Sequence, residues 1–219
     1  QILRAIWVNS TGKDSFMADR YIAVAGNMGV GKTTLVTYLT NRYGCQPVFE
    51  PFADNPYLED FYKDMRTWSF HSQTWFLAHK FRLHCELQRS DGTLIQDRSI
   101  YEDAEIFATY LHRSRRMHKR DFATYSEMYR AMRAALQPPD CLIYLRCSVR
   151  AIRRRIKQRG RPSEQEIPVS YIRNLNKLYE EWIDGWTHSP VYILDTERTD
   201  YLENLVDRIT FHKAIEKYL

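Results

Sequence analysis

Residues 25–34 read AGNMGVGKTT, and no other stretch restricts the fold as much. Three of the chain's eight glycines fall within six positions, and a lysine and two threonines follow at once. Gly26, Gly31, Lys32 and Thr33 keep the spacing G-x-x-x-x-G-K-[ST] of a phosphate-binding loop. Glycine admits positive φ and close backbone approach, so successive N–H groups can turn inward onto an anion. A helix fed by the loop adds its N-terminal amides and dipole. Lys32 offers a point charge for β- and γ-phosphates, and the Thr33 hydroxyl a ligand for Mg²⁺. The flanks agree. YIAVA (21–25) is a short β-rich apolar run, and Leu35, Val36, Leu39 and Tyr43 recur at helical spacing. Gly26, Asn27, Met28, Gly29, Val30, Gly31, Lys32, Thr33 and Thr34 are therefore expected to cradle the phosphates of a nucleoside triphosphate. A glycine turn beside a chance lysine is the weaker reading.

Such a loop belongs between a strand and a helix, and the rest of the chain supplies more of both. Strand candidates are 21–25, 46–50, 92–97, 141–146 and 191–195, several of them near-continuous apolar runs suited to a parallel sheet buried on both faces. Helical patterns fill 32–43, 57–89, 101–136 with a break near 112–120, 148–159, 168–186 and 200–218. The alternation predicts a three-layer α/β fold: a central five-stranded parallel sheet with flanking helices. A chain of 219 residues without linker, repeat or low-complexity tract fits one such domain over 17–219. Residues 1–16 are expected to be a tail, or the end of an upstream segment, outside it. No apolar run reaches the length of a membrane span. Cys45, Cys85, Cys141 and Cys147 form no C-x-x-C pair and read as reduced thiols of a cytoplasmic protein. The histidines have no metal-ligand spacing.

In open parallel sheets, ligands sit outside the carboxyl ends of the strands. Glu50 closes the second candidate strand, Asp97 and Arg98 the third, and Asp195 the fifth. Phosphoryl transfer needs a base for the attacking hydroxyl, a metal anchor and cations for the transferred oxygens. Glu50 can serve as base, Asp97 can hold Mg²⁺ directly or through water, and Arg98 can bridge. Taken singly, each is an ordinary solvated loop residue.

FEPFADNPYLEDFYKD (49–64), SFHSQTWFLAHKFR (69–82), QDRSIYEDAEIFA (96–108) and RGRPSEQEIPVSYIRNLNKLYEEW (159–182) together resemble the deoxyribonucleoside kinases. The likeness spans about 21–200, and the DNPYLEDFYKD stretch is most similar to the bacterial branch that favours purines. It implies ATP as donor, Mg²⁺, a deoxynucleoside as acceptor and a homodimer built through flanking helices such as 68–88 and 121–136. It makes Glu50 the base on the 5′-hydroxyl, sets Arg98 on Glu50 or the reacting phosphates, and places Asp97 near Mg²⁺. The family usually has glutamate where this chain has Asp97. Gln73 would grip the nucleobase and Asp103 would tune base preference. Lys80 stands where the deoxycytidine branch has arginine. Tyr62 and Glu164 would bind the sugar 3′-hydroxyl, and Phe52 and Phe107 would line the base.

The net charge of +5 suits polyanionic substrates as well as nucleic acid, so its location matters more than its sum. RAIRRRIKQRGR (150–161) resembles the family's arginine-rich lid, about 154–167, with Arg155, Arg159 and Arg161 on the donor phosphates. Arg150, Arg153 and Arg154 read equally well as a solvated face. HRSRRMHKR (112–120) has no interleaved aromatics and reads as a solvated connector, which argues against a nucleic-acid partner. Two rivals keep the phosphate loop: a nucleoside monophosphate kinase such as thymidylate kinase, which needs an extra basic grip on its acceptor, and a non-catalytic nucleotide-binding subunit.

Overall fold

The computed structural model describes residues 20–49, 54–87, 91–165 and 167–219. The expected tail, Glu50 and Phe52 lie outside the described residues. Five strands, β1 (Arg20–Ala25), β2 (Gln46–Val48), β3 (Thr93–Asp97), β4 (Cys141–Arg146) and β5 (Val191–Asp195), form one sheet in the order β2-β3-β1-β4-β5. All four pairings are parallel. Each strand lies within a run predicted from the sequence, shortened by at most two residues, or begins one residue earlier.

Alternation along β1 sends its side chains into two separate cores. Tyr21, Ala23 and Ala25 join a cluster with Leu77 of α3 (Met65–Leu87) and with Leu175 and Tyr179 of α9 (Val169–Asp184). Ile22 and Val24 face the opposite layer, with Leu35, Val36 and Leu39 of α1 (Lys32–Tyr43), Ile152 and Ile156 of α7 (Val149–Arg159), and Phe211 of α10 (Leu205–Ile215). The three α1 side chains are fully enclosed, each contributing about 2 kcal/mol of burial.

Register aligns the functional edge. Val24 pairs with Asp97, Ala25 with Tyr144, and Arg146 with Asp195, so the carboxyl ends of four strands share one rim. Strand order reverses direction at β1, the switch point where α/β sheets open a crevice.

The helical readings need local revision. The stretch 57–89 is two helices, α2 (Leu58–Lys63) and α3, because the Asp64 carboxylate accepts hydrogen bonds from the Arg66 and Thr67 amides and caps a new helix. The next stretch runs α4 (Ile100–Glu102), a π-helical segment (Asp103–Ala108) and α5 (Thr109–Arg113), then turns through a basic connector, exposed except for half-buried Arg116 and buried Met117, into α6 (Lys119–Arg133). α8 (Pro162–Gln165) is a single turn, and α10 starts at Leu205, where Asn204 caps it through the Val206 and Asp207 amides. Among the described residues no helix is long and apolar enough to cross a membrane, and all four cysteines are free.

Candidate active site

The phosphate loop joins β1 to α1 under tight steric control. Gly26 has φ 146°, and a Cβ there would meet the Leu145 carbonyl oxygen at 2.9 Å. At Gly29, φ 72°, a Cβ would meet Ile156 at the same distance. Side chains at either position would push the loop off β4 or α7. Asn27 is turned away from the cleft; its amide donates to the Ile172 carbonyl (3.0 Å) and the Asn176 side chain (2.6 Å), which ties the loop to α9. Lys32 lies at the mouth, with Nζ donating to the carbonyls of Gly26 (2.8 Å) and Asn27 (3.0 Å).

Across the rim, Thr33 Oγ1 donates to Asp97 Oδ2 at 2.6 Å. The other oxygen, Asp97 Oδ1, is buried with no hydrogen-bond partner among the described residues. Arg98 follows with φ 64°, a strained conformation for a residue bearing a side chain, held by its amide's bond to the Val24 carbonyl (3.0 Å). Its guanidinium stacks 4.5 Å from the Phe107 ring and lies 3.8 Å from Glu102.

These groups line a cleft of about 940 Å³. One end is walled by Gly29–Thr34, by Arg155 and by residues 196–202 that follow β5. Arg155 does not hang free: it donates to the Val30 carbonyl (2.9 Å), the Thr196 hydroxyl (2.8 Å) and the Thr196 carbonyl (2.7 Å), clamping the loop after β5 to the phosphate loop. The other end is apolar with a few polar groups. Phe61, Tyr62, Phe76, Phe107 and Tyr171 line it together with Gln73 and Asp103. Burial pushes the Tyr171 phenol well above its ordinary pKa, so it stays neutral. Gln73 is only 4% exposed, and its Oε1 has no hydrogen-bond partner among the described residues. Asp103 is held by Lys80 Nζ at 3.0 Å. The π-helical turn widens the spacing so that Asp103 and Phe107 both face the cleft. Above it, Glu164 receives Arg159 (3.2 and 2.5 Å) and lies 3.5 Å from Arg161.

The model of the family "Deoxynucleoside kinase" matches residues 22–219. The chain belongs to the deoxynucleoside kinase family. Its activity is that of an ATP-dependent deoxynucleoside kinase. It is 42% identical over 198 residues to the deoxyadenosine/deoxycytidine kinase of Bacillus subtilis, covering 86% of this chain and 90% of that protein. It is 31% identical over 199 residues to the deoxyguanosine kinase of the same organism, covering 88% and 95%. Among solved structures, the deoxyadenosine kinase of M. mycoides with dCMP and a flexible dCDP bound superposes with a TM-score of 0.79 at 29% identity, covering 90% of this chain and 99% of that one.

Seventeen of the residues singled out in the kinase sequence line the cleft: Met28–Thr34, Tyr62, Gln73, Asp97, Arg98, Asp103, Phe107, Arg155, Arg159, Arg161 and Glu164. Gly26, Asn27 and Lys80 stand behind it as supports. Three features of this kinase escaped sequence reading. The loop 196–202 carried only the signal that it follows a strand end. Phe76 and Tyr171 carried no signal that set them apart from the other aromatics of their helices. Glu102, fully enclosed, was hidden by its neighbour Asp103; burial raises its pKa, while the charges of Arg98, Lys32 and Lys80 pull it down.

Proposed function

We propose that this kinase transfers the γ-phosphoryl group of ATP to the 5′-hydroxyl of a purine deoxynucleoside, deoxyadenosine foremost. The observation that carries this reading is Gln73: an enclosed amide with an unsatisfied Oε1, in an apolar end of the cleft that faces the phosphate loop. A buried amide needs one donor and one acceptor opposite it. Adenine offers an amino group beside a ring nitrogen, the pairing that Gln and Asn make in bidentate fashion. Cytosine repeats that pattern on a smaller ring. The relatives' names, deoxyadenosine/deoxycytidine kinase and deoxyguanosine kinase, are in keeping with a purine acceptor.

Asp97 and Thr33 present two hard oxygen donors side by side, one of them unpaired, and this donor set suits Mg²⁺. Mg²⁺ held there would neutralise charge on the β- and γ-phosphates. Lys32 would pair with the same phosphates, and the loop amides would orient them. Glu50, just beyond β2, would take the proton of the 5′-hydroxyl as its oxygen bonds to the γ-phosphorus and ADP leaves. Arg98, stacked on Phe107, would span donor and acceptor. Residues 154–167 would act as the lid, with Arg159 and Arg161 moving between Glu164 and the transferred oxygens, while Glu164 and Tyr62 would hold the sugar. Arg155 is better suited to supporting the loop. A homodimer through α3 and α6 would cover half-buried Phe70, Phe122 and Met128, and four free cysteines suit the cytoplasm.

A coupled ADP-release assay with the four deoxynucleosides and their monophosphates tests this reading. Turnover should be greatest with deoxyadenosine. Turnover restricted to monophosphates would establish the nucleotide-kinase alternative instead.

A further inference from the structure

No other acid among the described residues is as completely enclosed as Glu102, at 0% exposure, and none of the roles above uses it. Its carboxylate gathers groups from three parts of the chain. Oε1 accepts from the Gly26 amide (3.1 Å) and from the Tyr179 hydroxyl of α9 (2.8 Å). Oε2 accepts from the Ser99 amide (3.1 Å), and the Arg98 Nε lies 3.8 Å from Oε1. Gly26 is the root of the phosphate loop, and Arg98 is the root of the acceptor wall.

A capping role at the start of α4 accounts for the Ser99 bond alone. It does not account for the second oxygen, which reaches 76 residues back along the chain to Gly26. Nor does it account for placing a carboxylate where desolvation is severe, unless the surrounding donors and cations require one. Gly26 sits close against β4, where a Cβ would meet the Leu145 carbonyl oxygen at 2.9 Å, and its φ of 146° is one that side-chain-bearing residues rarely adopt.

We propose that Glu102 is a positioning residue that locks the phosphate loop and Arg98 to one rigid carboxylate, so that the donor and acceptor ends of the cleft keep a fixed separation. This rests on the donor and acceptor ends assigned above. The Val24 carbonyl holds the strained Arg98 backbone, while Glu102 bonds the Gly26 amide and lies 3.8 Å from the Arg98 side chain, so one buried carboxylate faces both ends. Misplacing either end by about 1 Å would be enough to cost about 10²-fold in transfer rate.

Glu102→Gln is the informative variant. Three donors converge on Glu102, so a carboxamide must turn its NH₂ toward one of them. We expect kcat to fall about 10²-fold. The dissociation constant of a fluorescent N-methylanthraniloyl-ATP should rise about tenfold, as when the supporting partner of a binding group is lost. Deoxyadenosine affinity by calorimetry should stay within about twofold, because Gln73 and Asp103 are untouched. Tyr179→Phe, which leaves both backbone contacts in place, should keep kcat within about threefold. A Glu102→Gln protein that melts earlier but keeps the wild-type kcat and nucleotide affinity would show a cap and nothing more, and would overturn the proposal. So would a Tyr179→Phe loss as large as the Glu102→Gln loss. If Glu102→Gln does not fold, Glu102→Asp replaces it: one methylene shorter, it cannot span Ser99 and Gly26 together, and unchanged nucleotide binding in that variant would count against the proposal. The nucleotide-binding measurement needs no turnover. If the wild type phosphorylates no nucleoside, the acceptor reading falls while the comparison of nucleotide affinities still decides the role of Glu102.

Discussion

Lys80 Nζ sits 3.0 Å from Asp103 Oδ1, with side chains only 1% and 4% exposed. The pair joins α3 to the π-helical segment directly under the acceptor end of the cleft, and the Phe76 ring lies 5.9 Å from the ammonium. Two charges leave water together here, so neither is cheap to leave buried alone. Lys80→Met should lower unfolding stability in urea by about 3–5 kcal/mol, the usual consequence of removing one partner of a buried pair. Adding Asp103→Asn should restore part of it. A loss below about 1 kcal/mol in the single variant would mean that the pair is more solvated than its exposure suggests.

Gln73 gives a prediction about binding, not folding. Gln73→Leu removes an amide that sits enclosed with an unpaired Oε1. A cleft built to hydrogen-bond its ligand discriminates strongly once that bond is lost. Steady-state kinetics should show the deoxynucleoside KM rising at least about tenfold, which corresponds to about 1.4 kcal/mol, with the ATP KM within about twofold. Equal rises in both would place Gln73 outside the acceptor end.

Thr33 and Asp97 should govern the metal requirement. With Asp97→Asn, the donor set loses its charge but keeps its shape. The Mg²⁺ concentration for half-maximal rate should rise about tenfold, and kcat at saturating metal should fall by about 10²-fold. An unchanged Mg²⁺ titration would remove Asp97 from the metal's surroundings.

His84 sets an acid limit on stability. It is buried against the Tyr21 ring (centroids 5.0 Å apart), with Nε2 3.0 Å from the Gln137 carbonyl, and burial pushes its pKa down to about 4. Unfolded, the ring titrates near 6.5. Between those values the unfolded chain binds a proton that the folded protein refuses. Stability is therefore full above about pH 6.5 and declines as the pH falls, by about 2 kcal/mol at pH 5. His84→Asn should flatten that slope in urea denaturation at pH 7 and pH 5. Identical slopes in wild type and variant would assign the acid sensitivity to other groups.

Much of this was legible in the chain. The phosphate loop, the strand runs and the acids at their ends depend on short-range spacing, and the parallel register of β1, β3, β4 and β5 keeps the loop, Asp97 and Asp195 on one rim. What was hidden depends on long-range packing. The Glu102–Gly26 bond joins the helix after β3 to the loop after β1, which meet only once those two strands pair. The positive φ of Arg98 follows from its amide reaching back to Val24. The widened turn at Asp103–Ala108 has no periodicity signature that distinguishes it from an α-helix. Arg155 looked like a mobile arm because its partners, Val30 and Thr196, lie far from it in sequence.

The central claim is that the cleft carries a phosphoryl group from one end to the other. The most direct measurement is to incubate the protein with γ-³²P-labelled ATP, Mg²⁺ and deoxyadenosine, and to separate the products by chromatography. The account predicts label in a product that co-elutes with the 5′-monophosphate, in step with ADP formed. Label appearing only as inorganic phosphate, or remaining in ATP with every deoxynucleoside tried, would contradict it.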